Sequence, residues 1–274
     1  WLPLTFNPSV RVILSTSYGP VYNILKRRQG YGSLIVNNLE IAERVSFLRM
    51  NFNLSSKKLT EDQELKIANA PQAGNPRYLK TLVEDLSLFG EFEELNEKIN
   101  RDLKAQSASE LYEVVLARIE SDYDKSNKQV VKRFLSLLWA SRRGLYLETE
   151  MAVLLQEFGI EDHEWAPVFV ILEELLFSAS GLLNFGNRDI RMAAEKRYLN
   201  SPEEKIEVHT TLGNFFELVE GITARKIEET PYHFEKSGQW EKLRNFISDL
   251  RNFDKLYTPT HKFDLYRYWR NIEA

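Results

Sequence analysis

The sequence predicts a mainly α chain with little β structure. Three observations carry this. Apolar residues recur at helical spacing through most of the 274 residues. Runs that read as strands are short and few: PSVRVILSTS at 8–17, SLIVNNL at 33–39, LYL at 145–147 and LLNF at 182–185. Glycine and proline mark the stops and restarts between helical stretches, as at Gly30, Pro71, Gly74, Gly90 and Gly144.

The first run places Val10, Val12, Ile13 and Leu14 directly before Ser15, Thr16 and Ser17. A short β-branched stretch that is apolar on both faces reads as a buried strand of a parallel sheet. Ligands of such sheets sit outside the carboxyl ends of the strands. Residues 1–40 are therefore expected to be the C-terminal remnant of an α/β nucleotide-binding sheet. The chain opens Trp1-Leu2-Pro3, without Met or a basic leader, and reads as an internal piece of something longer; a processed N-terminus is the alternative. Pro20 to Gln29 reads as a helix ended by Gly30, and 33–39 as one more strand.

A small helical domain is expected over 41–124. Ile41, Val45, Leu48 and Phe52 fall at helical spacing, as do Leu59, Leu65, Ile67 and Ala68. Thr60 with Gln63 forms a capping box that starts a helix near 61, and Pro71 ends it. Gly74-Asn75 makes a turn. Pro76 takes the first position of the next helix, whose apolar face is Tyr78, Leu79, Leu82, Val83, Leu86 and Phe89 before Gly90. Helices at 92–105 and 108–121 follow. The polar stretch 122–128 reads as the internal boundary.

Residues 125–200 are expected to form a winged-helix domain. Val130, Val131, Phe134, Leu135, Leu138 and Trp139 make a helix that closes at Gly144, and Leu145 to Leu147 is a strand. A helix starts near Thr149 with Met151, Leu154, Leu155 and Phe158. Pro167 opens a very apolar helix, VFVILEELLF. Gly181 precedes the strand 182–185, and Gly186-Asn187 makes a turn. Helix, strand, helix, helix, wing is the winged-helix order. Trp139, Leu138, Phe134 and Leu176 are expected in its core. Residues 201–274 read as a helical linker or the start of helical repeats, with breaks at Gly221, Pro231, Gly238 and Pro259. The stretch 222–250 reads as a hairpin of the kind that stacks in solenoids, although no clean internal repeat is present.

The chemistry the sequence excludes is extensive. Without cysteine there are no disulfides and no thiol catalysis. A net charge of −4 gives no general field for nucleic acid or anionic lipid. No stretch approaches the roughly 20 apolar residues of a membrane span. His163, His209, His233 and His261 are far apart and show no metal-binding spacing. No glycine precedes a lysine, so there is no phosphate-binding P-loop, and no G-x-S-x-G elbow occurs. Acidic pairs such as Glu93-Glu94 and Glu173-Glu174 read as solvated helix faces. The third helix of the winged-helix region, 166–178, holds two Glu and no Lys or Arg; Arg142 and Arg143 lie in a turn. DNA is therefore not an expected partner. No self-contained active site is expected.

Six blocks in order carry a resemblance: the opening WLP with PSVRVILSTS, then APQAGNPRYLKTLVEDLSLFGEFEEL, ELYEVVLARIESDY, SLLWASRRGLYLETEMAVLL, GLLNFGNRDIRMAAEKRYL and ARKIEETPYHFEKSGQWEKL. The chain resembles the NACHT-type signal-transduction ATPases of the STAND class. The likeness is nearest to nephrocystin-type tetratricopeptide (TPR) proteins and the telomerase-associated large proteins. The resemblance implies an ATP/ADP cofactor, with magnesium and the phosphate loop held by an upstream part, and a nucleotide-gated switch closed with ADP and open with ATP. It places Ser15 and Thr16 at the end of a sensor strand, where a strand-end cap is the alternative. GNPRYLK resembles a family motif whose proline packs near adenine. That gives Pro76 as the contact and Asn75 as its neighbour, with a plain helix start as the alternative. FGNRDIR matches a wing motif in which relatives carry histidine. Asn187 stands there instead, and it also suits a Gly-Asn turn that tolerates positive φ. The retained GNPRYLK favours the nucleotide-gated switch, which is the main reading; the Asn187 departure favours the alternative, a non-catalytic interaction scaffold with lost nucleotide function in a large, ciliary or axonemal assembly. Partners in either case are other proteins through helical surfaces, with no membrane span. The implied location is cytoplasmic, extending to the cilium or axoneme.

Overall fold

The structure, a computed structural model, describes residues 6–28, 30, 32–54, 58–90, 94–124 and 128–273. Trp1-Leu2-Pro3, Gln29, Phe92, Glu93 and residues 125–127 of the polar boundary lie outside these. The chain divides into two compact units, Trp1–Asn38 and Leu39–Ala274.

In the first unit the expected strands are not formed. Residues 10–17 and 32–38 have no regular structure. Asn7 instead organises a turn: its Oδ1 accepts from Ser9 N–H (3.0 Å) and Ser9 Oγ (2.7 Å), and its carbonyl accepts from Val10 N–H (2.8 Å). Ile13 is 97% exposed and Leu34 91%. A strand's backbone groups need a neighbour to bond, and among the described residues of this unit none pairs with them. The expectation of strands within 8–17 and 33–39 is thus corrected among the described residues. Helix α1 (Pro20–Lys26) starts at its proline as expected and buries no residue.

The second unit opens with α2 (Ile41–Leu54), α3 (Glu61–Asn69), α4 (Pro76–Leu88), α5 (Leu95–Asp102) and α6 (Ala108–Tyr123). The Thr60–Gln63 capping box is present: Gln63 N–H donates to Thr60 Oγ1 (3.3 Å), and Thr60 N–H donates to Gln63 Oε1 (2.9 Å). A tight turn at Pro71–Gly74 leads into α4, whose inner face Tyr78, Leu79, Leu82, Val83 and Leu86 is buried. Leu48, Phe52, Ile67 and Ile99 complete this core, while Leu65 and Ile41 turn outward. Tyr78 Oη donates to the carbonyls of Asp102 and Ala105 (3.0 Å each), and burial pushes its pKa up to about 12. The core includes one buried ionic group. Lys98 bridges Asp85 and Asp102 (2.6 Å to the latter), and Arg118 covers Asp85 at 2.8 Å.

A second core follows, built from α7 (Val130–Ala140), β1 (Leu145–Tyr146), a wide π-type turn at Leu147–Met151, α8 (Ala152–Glu157), α9 (Asp162–Leu172), β2 (Leu176–Ala179), β3 (Leu182–Phe185) and α10 (Arg188–Tyr198). The strands form one antiparallel sheet in the order β1-β3-β2, with Leu145 opposite Leu183 and Leu176 opposite Phe185. Ser180 and Gly181, at φ +54° and +83°, make the two-residue hairpin turn between β2 and β3. That turn explains a difference from the sequence reading. Residues 176–178, expected to end the apolar helix, are drawn into strand pairing. The helix also begins five residues earlier than expected, at Asp162 after a Glu161–Glu164 capping box, with Pro167 inside it. Phe134, Leu138 and Leu176 are buried, but Trp139 is only half-buried. Its indole N–H donates to Glu195 (3.2 Å), and Arg191 and Lys205 lie over its ring. It covers the core rather than filling it, so its truncation should cost less than the ~3–5 kcal/mol of a large core side chain.

The chain ends in α11 (Pro202–Leu218), α12 (Ala224–Lys236), α13 (Trp240–Ser248), α14 (Leu250–Leu256) and α15 (Lys262–Glu273). Leu212 and Phe216 of α11 belong to the second core, whereas Ile227, Phe234, Leu243, Ile247, Leu265 and Tyr268 form a third. Pro231 does not break the chain: α12 runs through it, and the residue is buried.

Candidate functional site

Ser15 and Thr16 lie exposed in the first unit, in the segment that is not a strand; Thr16 Oγ1 donates to the Ser17 carbonyl (3.2 Å). Asn75, Pro76 and Asn187 lie in the second unit. Asn75 caps α4: its Oδ1 accepts from the N–H groups of Arg77 (2.9 Å) and Tyr78 (3.4 Å), with Pro76 exposed at the first helical position. Asn187 is not a positive-φ turn residue. At φ −161° it caps α10, its Oδ1 accepting from Asp189 N–H (2.9 Å) and Ile190 N–H (3.1 Å) while its Nδ2 donates to Tyr112 Oη (3.0 Å). An Arg77–Asp189 ion pair (2.7 Å) draws the starts of α4 and α10 together. Both asparagine oxygens are thus committed to their own helix ends, where each satisfies otherwise free N–H groups.

The densest polar cluster lies elsewhere, where the turn after α7 meets α12. Arg225, in the first turn of α12, spreads its guanidinium over two carboxylates. Its Nε and Nη2 donate to Glu150 (2.8 and 2.7 Å), its Nη1 to Glu229 (2.7 Å), and Nη2 also to the Gly144 carbonyl (2.9 Å). Arginine suits this place because its planar fork can serve two carboxylates at once. Glu229 is fully buried and also accepts from Arg142 N–H (3.1 Å) and His233 Nε2 (3.1 Å). Burial alone would raise the Glu229 pKa; the His233 hydrogen bond and the Arg225 charge outweigh it and hold the group below the ordinary carboxylate range. Arg142 reaches further, to the Glu228 carbonyl (3.2 Å) and Asp264 of α15 (2.6 Å). Arg143 pairs with Glu228 (3.1 Å), and Arg267 ties Asp264 to Glu235 (2.9 Å each).

Two of the histidines complete the cluster. His209 Nδ1 and His233 Nδ1 are 2.9 Å apart. The proton placement follows from the neighbours. Glu229 is ionised and can only accept, so His233 donates from Nε2, which leaves its Nδ1 as acceptor for His209 Nδ1–H. Both rings are neutral. Burial first, then the nearby cations Lys236 and Arg191, hold His209 down at about 3, and burial outweighs the Glu229 contact in lowering His233.

A histidine–carboxylate pair can serve acid–base chemistry only where a substrate reaches it. Here Glu229 and His233 are wholly enclosed and His209 is 5% exposed. Among the described residues no group of three or more His, Asp or Glu side chains is placed to hold a metal ion. The cluster joins elements; it opens onto nothing. Sequence reasoning treated the histidines as isolated and missed it. The usable signal was the spacing Arg225, Glu229, His233, which puts all three on one face of a helix at i, i+4 and i+8.

Fold and cluster together describe a mainly helical protein whose polar centre fixes one set of helices to another. Among the described residues no helix is long and apolar enough to cross a membrane. The chain is 40% identical over its whole length to a TPR repeat-containing protein of Dictyostelium discoideum, of which it covers 16%. It is 25% identical to human nephrocystin-3 over 78% of its length, covering 17% of that protein, and 24% identical to rat tetratricopeptide repeat protein 41 over 98% of its length, covering 24%. The chain therefore spans about a sixth to a quarter of these relatives. No protein-family model matches it, and no solved structure matches it. These matches overturn the assignment to NACHT- or STAND-type ATPases: two of these three relatives are tetratricopeptide proteins by name, and none of the three is named as an ATPase.

Proposed function

We propose that residues 39–274 act as a rigid, non-catalytic interaction module of a longer scaffold protein. The observation that carries this reading is the enclosed Arg142–Arg225–Glu150–Glu229 joint. It sets a fixed relation between the sheet-bearing core and the C-terminal helices, and its charges are spent on one another. Breaking one member of such a buried group leaves the others unpaired at a cost of about 3–5 kcal/mol, so the joint resists bending. Similarity to tetratricopeptide proteins supports protein partners.

Residues 125–200 are read as a winged-helix domain, its described elements running from α7 to α10. The order of its helices and strands, and the β1-β3-β2 sheet, support that reading. The lack of Lys or Arg on α9 supports a protein-facing rather than a DNA-binding use. A large assembly with a ciliary or axonemal setting, implied by the nephrocystin likeness, is the proposed context.

Cross-linking mass spectrometry of the full-length protein in its own cells tests the reading. Reproducible intermolecular cross-links to lysines of residues 39–274 are expected. A free monomer without such cross-links would refute the scaffold.

A further inference from the structure

Helix α9 has an outer face that the other described residues leave uncovered. The eight residues from Trp165 to Leu172 carry no charged side chain. Trp165, Val168 and Leu172 enter the second core, against α6 and α7. On the other side, at helical spacing, lie His163, Pro167, Val170 and Glu174, all exposed, with Val170 at 62%. Phe177, at 48%, follows on the edge strand β2. A helix that is apolar all round is ordinarily covered on both sides. This one is covered on one.

The stretch of chain that carries this face has charge of a single sign. From Gly144 to Asn187 there are eight Asp or Glu, and all 36 Lys and Arg of the chain lie outside that stretch. Arg225 takes up Glu150, and Lys128 takes up Glu164. Glu161, Asp162, Glu173 and Glu174, at the two ends of α9, have no cationic partner among the described residues. Glu161 and Asp162 are accounted for within the fold, since acids favour a helix start and Glu161 forms the capping box. Glu173 and Glu174 are not. They stand at the C-terminal end, where the helix dipole repels anions, and no basic residue offsets them in the last turn.

We propose that the outer face of α9 docks an amphipathic helix of a partner protein whose apolar stripe is bordered by Lys or Arg. Val170 and Pro167 supply the apolar centre, and Glu173 and Glu174 meet the partner's cations. Such complementarity steers encounter and rejects acidic competitors. Two helical turns make a small contact, so binding is weak and salt-dependent. The inference rests on the scaffold reading and names the surface and the chemistry that it uses.

The test uses fluorescence anisotropy on the full-length protein with three labelled helical peptides of about 18 residues, long enough to form helix on contact. One has a Leu stripe bordered by Lys, one the same stripe bordered by Glu, and one the Lys composition with the Leu order scrambled. Only the first should bind. Its affinity should fall about tenfold or more in Val170→Gln, and likewise in Glu173→Lys/Glu174→Lys, with thermal melts not lowered in either, because these side chains are exposed and lysine suits a helix C-terminus. Equal binding of all three peptides, no binding of the first, or binding that ignores both variants would overturn the proposal. So would duplex DNA captured through the same residues. If cross-links to partners persist unchanged in Val170→Gln in cells, this face is wrong while the scaffold stands; if wild type makes none, the scaffold reading itself fails.

Discussion

Replacing His209 by Phe should flatten the protein's loss of stability between about pH 6.5 and 5. The free imidazole titrates at 6.5, but in the fold burial and the neighbouring charges hold His209 at about 3. Above pH 6.5 neither folded nor unfolded chain binds the proton, and stability is full. Below it the unfolded chain takes up the proton while the folded one refuses it until about pH 3. Stability is therefore lost as pH falls through that window, by about 1.4 kcal/mol per pH unit for one group. At pH 5 that is about 2 kcal/mol from His209 alone. His233 is lowered too, so the wild-type slope should exceed that of a single histidine. Phe keeps a ring beside Trp139 and Tyr232 but leaves His233 Nδ1 without its donor. That should cost about 1–3 kcal/mol at every pH, so the slope and not the absolute value is diagnostic. Urea unfolding at several pH values across the window measures it. The range lies above most carboxylate titration, which keeps the signal to histidine. A wild-type profile flat over this range, or an unchanged slope in His209→Phe, would refute the neutral buried pair.

Three further outcomes are expected. Gly144→Ala should destabilise by upwards of about 3 kcal/mol in urea unfolding, because Gly144 sits at φ +95° and a β-carbon there would lie 2.2 Å from the Leu183 carbonyl oxygen; an unchanged midpoint would contradict it. Asn187→Ala should lose about 1 kcal/mol of helix capping, plus its contact with Tyr112, read as a lowered melting temperature, whereas Asn187→Asp should keep the cap. The chain should release no phosphate from magnesium-ATP above a buffer control, since it holds no P-loop; measurable turnover would reopen the question of catalysis.

Much of the fold was legible where local signals agree with each other. The Thr60–Gln63 box, Pro76 at a helix start and the buried stripe from Tyr78 to Leu86 each encode their outcome within one turn or one face. The reading failed where tertiary partners decide. An apolar run such as 10–14 is a strand only if another strand bonds it, and composition cannot supply that information. Residues 176–178 looked helical by continuity until Ser180-Gly181 folded them against β3. Pro231 looked like a break, yet α12 continues through it. The candidate site was the least legible part. Asn75 and Asn187 cap α4 and α10, whose starts an ion pair holds side by side, a use that only the folded chain displays. The histidine cluster depends on α11 and α12 packing face to face, which brings His209 to His233 across 24 positions of sequence.

The rigid joint is tested most directly by a distance measured across it. The chain has no cysteine, so spin labels at Ser178→Cys on β2 and Arg270→Cys on α15, both exposed, report without interference. Pulsed electron paramagnetic resonance should give one narrow distance distribution for this pair. Adding Arg225→Met, which strands Glu150 and Glu229, should broaden it while the helical circular dichroism persists. A broad distribution before that substitution, or an unchanged narrow one after it, would contradict the account.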